Sequence, residues 1–205
     1  MILETINLSK TFLRNEKEFF AIKDINFSIK KGEFVAITGP SGSGKSTLFS
    51  IISGLSKPSS GHVITNDARL SYMFQGQSLI PSFNVLDNIS LPIYFDKKIK
   101  FPKDDILKLI DSFGLKGMEN EFPSSLSGGE QRRVALIRAM VSNPDIIVAD
   151  EPTSNLDPEN SKLILQILKN LSLEGKSVLI STHDMFSLEY ADSIYSMTQG
   201  ILSKQ

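Results

Sequence analysis

The chain has 205 residues, enough for one large domain with a real core, and 40% of them are hydrophobic, an ordinary globular share. Its 22 Lys and Arg balance 23 Asp and Glu to a net charge of −1, so no basic excess points to nucleic acid and no acidic run points to disorder. The absence of cysteine excludes disulfides and thiolate metal sites and fits a reducing cytoplasm.

In chain order, the N-terminus lacks a basic region followed by a long apolar stretch, so no secretory signal is expected. Ile25, Phe27 and Ile29 alternate with Asn26, Ser28 and Lys30, the period of a half-buried strand, and Lys31-Gly32 makes the turn. Residues 34–38 read as a short apolar strand running into a glycine loop. Residues 45–53 read as a helix with Leu48, Ile51, Ile52 and Leu55 on one face, ended by Gly54 and Pro58. A strand is predicted at 70–74, followed directly by Gln75. From 76 to 140 the signals are mainly helical. Helices are expected at 84–91, stopped by Pro92; at 104–113, with Ile106, Leu109, Ile110 and Phe113 spaced along one face; and from Ser127 to Ser142. Residues 145–149 return to a buried strand. A helix over 158–171 should turn Leu163, Ile164, Ile167, Leu168 and Leu171 inward. A strand at 178–181 and a closing hairpin at Gln199-Gly200 complete the pattern.

Apolar strands alternating with helices predict an α/β domain with a mostly parallel sheet covered on both faces. The expected division is a single domain, 1–205, with a core of about 1–75 and 143–205 and an inserted helical subdomain of about 76–142. No apolar segment approaches the ~18–20 residues needed to span a bilayer, so any membrane component is expected from another polypeptide.

The chemistry is concentrated in a few motifs. Gly39, Pro40, Ser41, Gly42, Ser43, Gly44, Lys45 and Ser46 fit the phosphate-loop pattern completely, and Thr47 follows them. Glycines there let backbone N–H groups turn toward phosphate oxygens. Lys45 offers a point charge to the β- and γ-phosphates, Ser46 a hydroxyl to Mg²⁺, and the following helix its positive end. Residues 146–151 place Asp150 and Glu151 at the end of a buried strand, where open parallel sheets bind ligands. Asp150 is suited to hold Mg²⁺ through its water shell, and Glu151 to take a proton from an attacking water. Gln75 could bind Mg²⁺ or that water through its carbonyl oxygen, and His183 could bond a γ-phosphate. Standing alone, Gln75 reads first as an ordinary solvated loop residue and His183 as a satisfied histidine at a strand end. The hexapeptide 126–131, LSGGEQ, adds a second small-residue turn opening a helix, far in sequence from Lys45.

This order of motifs, with Ser154-Asn155-Leu156-Asp157 between the acidic pair and His183, resembles the ATP-binding subunit of ABC transporters along essentially the whole chain. The resemblance implies a P-loop NTPase core of RecA-like type with N-terminal antiparallel strands, ATP and Mg²⁺ as cofactors, and ATP hydrolysis. It implies a homodimer closing on ATP, in which Ser127, Gly128 and Gly129 contact the γ-phosphate held by the opposing subunit. Residues 154–157 would follow the dimer interface, Gln75 would report nucleotide state, and His183 would act as a switch. Phe12 matches the adenine-stacking aromatic, although a core phenylalanine remains the other reading. A separate transmembrane permease would be the partner, placing the chain on the cytoplasmic, inner face of the membrane. The segment 78–92 is similar to that of lipoprotein-releasing and macrolide-exporter ATPases, where this region touches the permease; a cell-division ATPase shares it, so an ATP-driven switch without transport is the alternative output. Three departures accompany the match: a short 61–75 connection where relatives usually carry an extra helix, Phe12 in place of tyrosine, and no room after Gly200 for a regulatory domain of the sugar-importer kind.

Overall fold

Alternate residues on the central strands serve opposite faces, and that alternation sets the layers. The structure, a computed structural model, describes residues 1–14, 17–76, 79–96, 99 and 101–205. Strands β1 (Leu3–Arg14), β2 (Lys17–Ile29) and β4 (Ser60–Ile64) form an antiparallel sheet in the order β2-β1-β4. Strands β3 (Phe34–Thr38), β5 (Leu70–Met73), β6 (Ile146–Asp150), β7 (Ser177–Thr182), β8 (Ser193–Thr198) and β9 (Ile201–Lys204) form a second sheet. Its order is β5-β6-β7-β3-β8-β9, parallel except where β9 returns against β8 through the turn at Gln199-Gly200.

One face of the parallel sheet presents Val35, Ile37, Ile146, Val148 and Leu179. These pack with Leu48, Phe49, Ile51 and Ile52 of α1 (Lys45–Ile52) and with Leu3, Leu8 and Ile22 of the antiparallel sheet. The other face presents Phe34, Ala36, Ile147, Ala149, Val178 and Ile180. It carries α2 (Val85–Phe95), α3 (Lys103–Ser112), α4 (Gly128–Val141) and α5 (Pro158–Leu173) in one continuous apolar cluster. Strands buried on both faces read as unbroken apolar runs, as β3, β6 and β7 do.

Parallel register places the functional ends of the strands side by side. Thr38 pairs with Thr182, Asp150 with Ser181, and Met73 with Ala149. The segments leaving β3, β5, β6 and β7 therefore start from one edge of the sheet. The short connection between β4 and β5 contains no helix. It turns through Asn66 and Asp67, both at positive φ, with Ala68 N–H donating to the Thr65 carbonyl at 2.8 Å.

Three expectations about helices are corrected. Helix α2 does not stop at Pro92 but runs through it to Phe95, and Asp96 N–H bonds the Pro92 carbonyl at 3.0 Å. The ring removes one internal hydrogen bond, and tertiary anchoring compensates. Buried Val85 and Ile89 face the core, and the Asn88 amide bonds the carbonyls of Ile80, Phe83 and Asn84. Leu55 lies outside the inner face of α1, because Ser53 ends the helix and Gly54 takes positive φ. Leu163 is 37% exposed, whereas Ile164, Leu165 and Leu168 fill the inner face of α5. The opening of the permease-like segment, Ser78, lies outside the described residues.

Leu168→Ala should lower the unfolding free energy by about 2–5 kcal/mol in urea titrations, and Leu163→Ala by no more than about 0.5 kcal/mol. Equal losses would contradict this assignment of the two faces of α5.

Candidate active site at the edge of the parallel sheet

Leaving β3, the chain turns through the glycine loop and enters α1 with Gly44 as N-cap. Gly44 sits at φ +111, and a Cβ there would run into the Ala21 carbonyl, so only glycine fits. With no side-chain cap, the first-turn N–H groups of α1 are left for a ligand. Lys45 is only 6% exposed, and its ammonium donates to the carbonyls of Gly39 at 2.7 Å and Pro40 at 3.1 Å. It forms no ion pair with a carboxylate among the described residues, so a buried positive charge awaits an anion. The buried Ser43 hydroxyl likewise has no hydrogen-bond partner. An uncapped helix start, an orphan hydroxyl and an unneutralised ammonium together fit a polyphosphate.

A cleft of about 510 Å³ opens over this loop, lined by Ser41, Gly42, Gly44, Lys45, Ser46 and Thr47 on one side and by Gln75 and Glu151 on another. Its third wall is aromatic. Phe12 is 44% exposed, so it is not a core residue; its ring centroid lies 6.0 Å from that of Phe19, and Phe20 completes the wall. Phe19 and Phe20 escaped the sequence reading, because the β1–β2 pairing Phe12↔Phe19 that brings them to the cleft is a tertiary fact.

Beyond β6, Asp150 is buried between two hydroxyls: Ser181 donates to its Oδ1 and Tyr72 to its Oδ2 at 3.4 Å. Burial first, and then the Asp150 carboxylate, push the Tyr72 phenol far above its ordinary pKa, so Tyr72 remains a neutral donor. Ser46, Asp150 and Gln75 offer a hydroxyl, a carboxylate and an amide oxygen. No cluster of His, Cys, Asp and Glu forms a metal cage among the described residues. Such a sparse oxygen set suits Mg²⁺, which keeps waters and takes substrate phosphates as ligands.

Glu151 takes φ +47, unusual for a residue with a Cβ and costing about 1–2 kcal/mol. Its N–H donates to the Ser181 hydroxyl at 2.8 Å, and its carbonyl accepts from Arg132 Nη2 at 3.1 Å. Gln75 Nε2 donates to Glu151 Oε2 at 3.0 Å, leaving the Gln75 carbonyl oxygen available. His183 Nδ1 lies 3.5 Å from Glu151 Oε1, on a largely exposed ring. The structure thus brings Lys45, Gln75, Glu151 and His183 to one edge.

Ser127, Gly128 and Gly129 do not line this cleft; Gly128 lines a separate one of about 240 Å³ with Arg132 and Leu156. Ser127 caps α4 in a capping box: its hydroxyl accepts from Glu130 N–H, and Glu130 Oε2 accepts from Ser127 N–H at 2.7 Å. Those Ser127 hydrogen bonds hold the Glu130 carboxyl below the usual glutamate range. Gly128 is exposed, but Gly129 is buried, and a Cβ on it would come within 2.5 Å of the Asn160 side chain. A Cβ at Gly129 would therefore force the Asn160 amide, bonded to Arg133 and Asp157, to move, a reason invisible in the motif.

The ABC transporter family model matches residues 22–154. The lipoprotein-releasing system ATP-binding protein LolD of Buchnera aphidicola subsp. Schizaphis graminum is 37% identical over 220 residues, covering 98% of this chain and 96% of that protein. This chain belongs to the ABC transporter family. The macrolide export ATP-binding/permease protein MacB of a Shewanella strain is 35% identical, and the alignment spans 98% of this chain but 34% of that longer protein. Resemblance to the lipoprotein-releasing and macrolide-exporter branch is thus borne out. Among solved structures, the dimeric post-hydrolysis state of the ATP-binding cassette MJ0796 with ADP and Pi superimposes with a TM-score of 0.89 at 36% identity, covering 98% of each chain. The α/β architecture with its antiparallel N-terminal sheet is that of an ABC cassette, and the chain is an ABC-type ATPase.

In this ABC ATPase, Gly129→Ala should destabilise the fold by about 1–3 kcal/mol, while Gly128→Ala should stay within about 0.5 kcal/mol; urea unfolding distinguishes them. Glu130→Ala should cost about 0.5–1 kcal/mol at pH 7. Because the folded-state pKa of Glu130 is depressed, that stabilisation exists above its unfolded pKa and fades as pH falls through the folded one. The gap between wild type and Glu130→Ala should therefore narrow below about pH 4.

Proposed function

We propose that this chain powers export or release of a substrate through a separate membrane permease, by ATP-driven closure of a head-to-tail homodimer. One observation carries the composite-site reading: the phosphate cleft contains Lys45, Gln75 and Glu151, while Gly128 lies in a different cleft. A γ-phosphate in that cleft would meet Ser127, Gly128 and Gly129 from a second copy. ATP then bridges the interface and favours the closed state because it binds that state better. The relatives named for lipoprotein release and macrolide export support the branch, and residues 76–142 would act as the helical unit facing the permease. Phe83, Tyr94, Phe95 and Phe122 are exposed there, an apolar surface suited to a membrane partner. No helix among the described residues is long and apolar enough to cross a membrane, which agrees with peripheral attachment through that partner.

In the proposed reaction, Phe12 stacks on adenine, and Lys45 with the α1 N–H groups holds the β- and γ-phosphates. Ser46, Asp150 through a water shell and the Gln75 carbonyl oxygen would hold Mg²⁺, which would offset charge on those phosphates. Water attacks the γ-phosphorus as the bond to the bridging oxygen breaks. Glu151 takes the water proton, a role worth roughly 10²–10⁴-fold in rate. Gln75 orients the carboxylate through the 3.0 Å hydrogen bond to Oε2, and His183 lies beside Oε1, where it could bond the γ-phosphate. Loss of the bridge reopens the dimer, and the permease converts reopening into substrate movement.

Glu151→Gln should retain ATP binding, slow hydrolysis by about 10²–10⁴-fold, and accumulate a dimer on size-exclusion chromatography with MgATP. A variant that stays monomeric at high protein and ATP, with permease present as well as absent, would sink the composite site. Phe12→Ala should weaken ATP binding about 5- to 50-fold in calorimetry, the loss of roughly one stacking contact.

A further inference from the structure

Arg132 is 4% exposed and lies inside α4, on the helix that Ser127 caps. Among the described residues its guanidinium forms no ion pair with a carboxylate; its four hydrogen-bond acceptors belong to two loops, those after β5 and β6. Nη1 donates to the carbonyls of Phe74 at 3.0 Å and Gly76 at 3.1 Å, the residues on either side of Gln75. Nη2 donates to the Glu151 carbonyl at 3.1 Å and to Ser154 Oγ at 3.0 Å. One planar cation therefore holds the backbone around Gln75 and the backbone of Glu151 in a single rigid fork.

Glu151 depends on such a hold. Its left-handed φ of +47 is secured at the N–H by Ser181 and at the carbonyl by Arg132. The Gln75–Glu151 contact at 3.0 Å joins the two side chains whose main chains that fork fixes. A second link runs in parallel: Arg133 Nη1 donates to Asn160 Oδ1 at 2.7 Å, and the Asn160 amide donates to Asp157 at 2.6 Å. Helix α4 is thus fastened to the residues beyond β5, to the main chain of Glu151, and to the 154–157 turn.

We propose that Arg132 is a positioning residue that aims Glu151 and Gln75, and that it ties their aim to the placement of the helix capped by Ser127. This rests on the reading above, in which Glu151 is the base and the Ser127 turn meets nucleotide across the dimer. Nucleotide at the partner's site would displace or steady α4, and the fork would carry that displacement to the base of the subunit's own site. The link is mechanical and local: the same helix carries the turn at its N-terminus and the guanidinium within its length.

The test uses the full-length chain with MgATP in steady-state hydrolysis, comparing wild type, Arg132→Lys, Arg132→Met and Glu151→Gln. Arg132→Met should lose about 10²-fold in kcat, as for a misplaced catalytic group, with KM for ATP and the thermal midpoint close to wild type. The Hill coefficient, above one for two coupled sites, should fall to one. Arg132→Lys should recover only part of kcat, since an ammonium is a point charge that cannot span both pairs of acceptors. If Arg132→Met does not fold, the lysine variant alone decides, by lowered kcat at unchanged KM. Wild-type kcat in the folded Arg132 variants, or kcat, KM and stability falling in step, overturns the proposal. Full activity in Glu151→Gln instead overturns the base assignment and this inference with it, whereas an inactive Glu151→Gln beside fully active Arg132 variants removes the positioning role alone.

Discussion

The parallel pairing of β3, β6 and β7 brings Thr38, Asp150, Ser181 and Thr182 to one edge of the sheet, and the placement of Lys45, Glu151 and His183 follows from it. Each strand is buried on both faces, so slipping one by a single residue would exchange its two apolar sets and place neither correctly. Register is therefore strongly fixed, and with it the separation of loop, carboxylate and histidine. The antiparallel N-terminal sheet depends on the same constraint less directly. It packs on α1, and it brings Phe12 and Phe19 to the cleft as the wall facing the glycine loop.

Around that edge, charges are held by neutral dipoles more than by opposite charges. Asp150 rests between the hydroxyls of Ser181 and Tyr72, and Arg132 among three carbonyls and a hydroxyl. Burial lowers the pKa of Arg132, partly offset by Glu151 and Asp150, yet a guanidinium remains charged in proteins. Neutral partners fix position without cancelling charge, and an enzyme for phosphoryl transfer needs that charge for its substrate.

Local motifs made most of the site legible. The glycine loop, the acidic pair and the small-residue turn at 127–129 each work within a few residues, so residue type and spacing reveal them. Unbroken apolar runs likewise revealed the central strands, and alternation revealed the end of β2. What escaped depends on contacts distant in sequence. Leu163 shares the helical spacing of its neighbours, but its face of α5 meets solvent. Pro92 reads as a stop because the sequence does not show the packing that carries α2 past it. The packing of Gly129 against Asn160 and the four acceptors of Arg132 depend on residues far off in sequence, so neither shows in the motif.

The lysine of the glycine loop has a consequence for the energetics of the whole domain. Its ammonium is already stripped of most water and leans on the Gly39 and Pro40 carbonyls before any nucleotide arrives. The cost of dehydrating that cation is thus met when the chain folds, not when it binds. A nucleotide held at this loop would meet a charge that needs no further preparation. Nucleotide that binds only the folded chain would add stability by mass action, about 2.7 kcal/mol at a hundred times Kd. The stability of the fold would then answer to the supply of nucleotide.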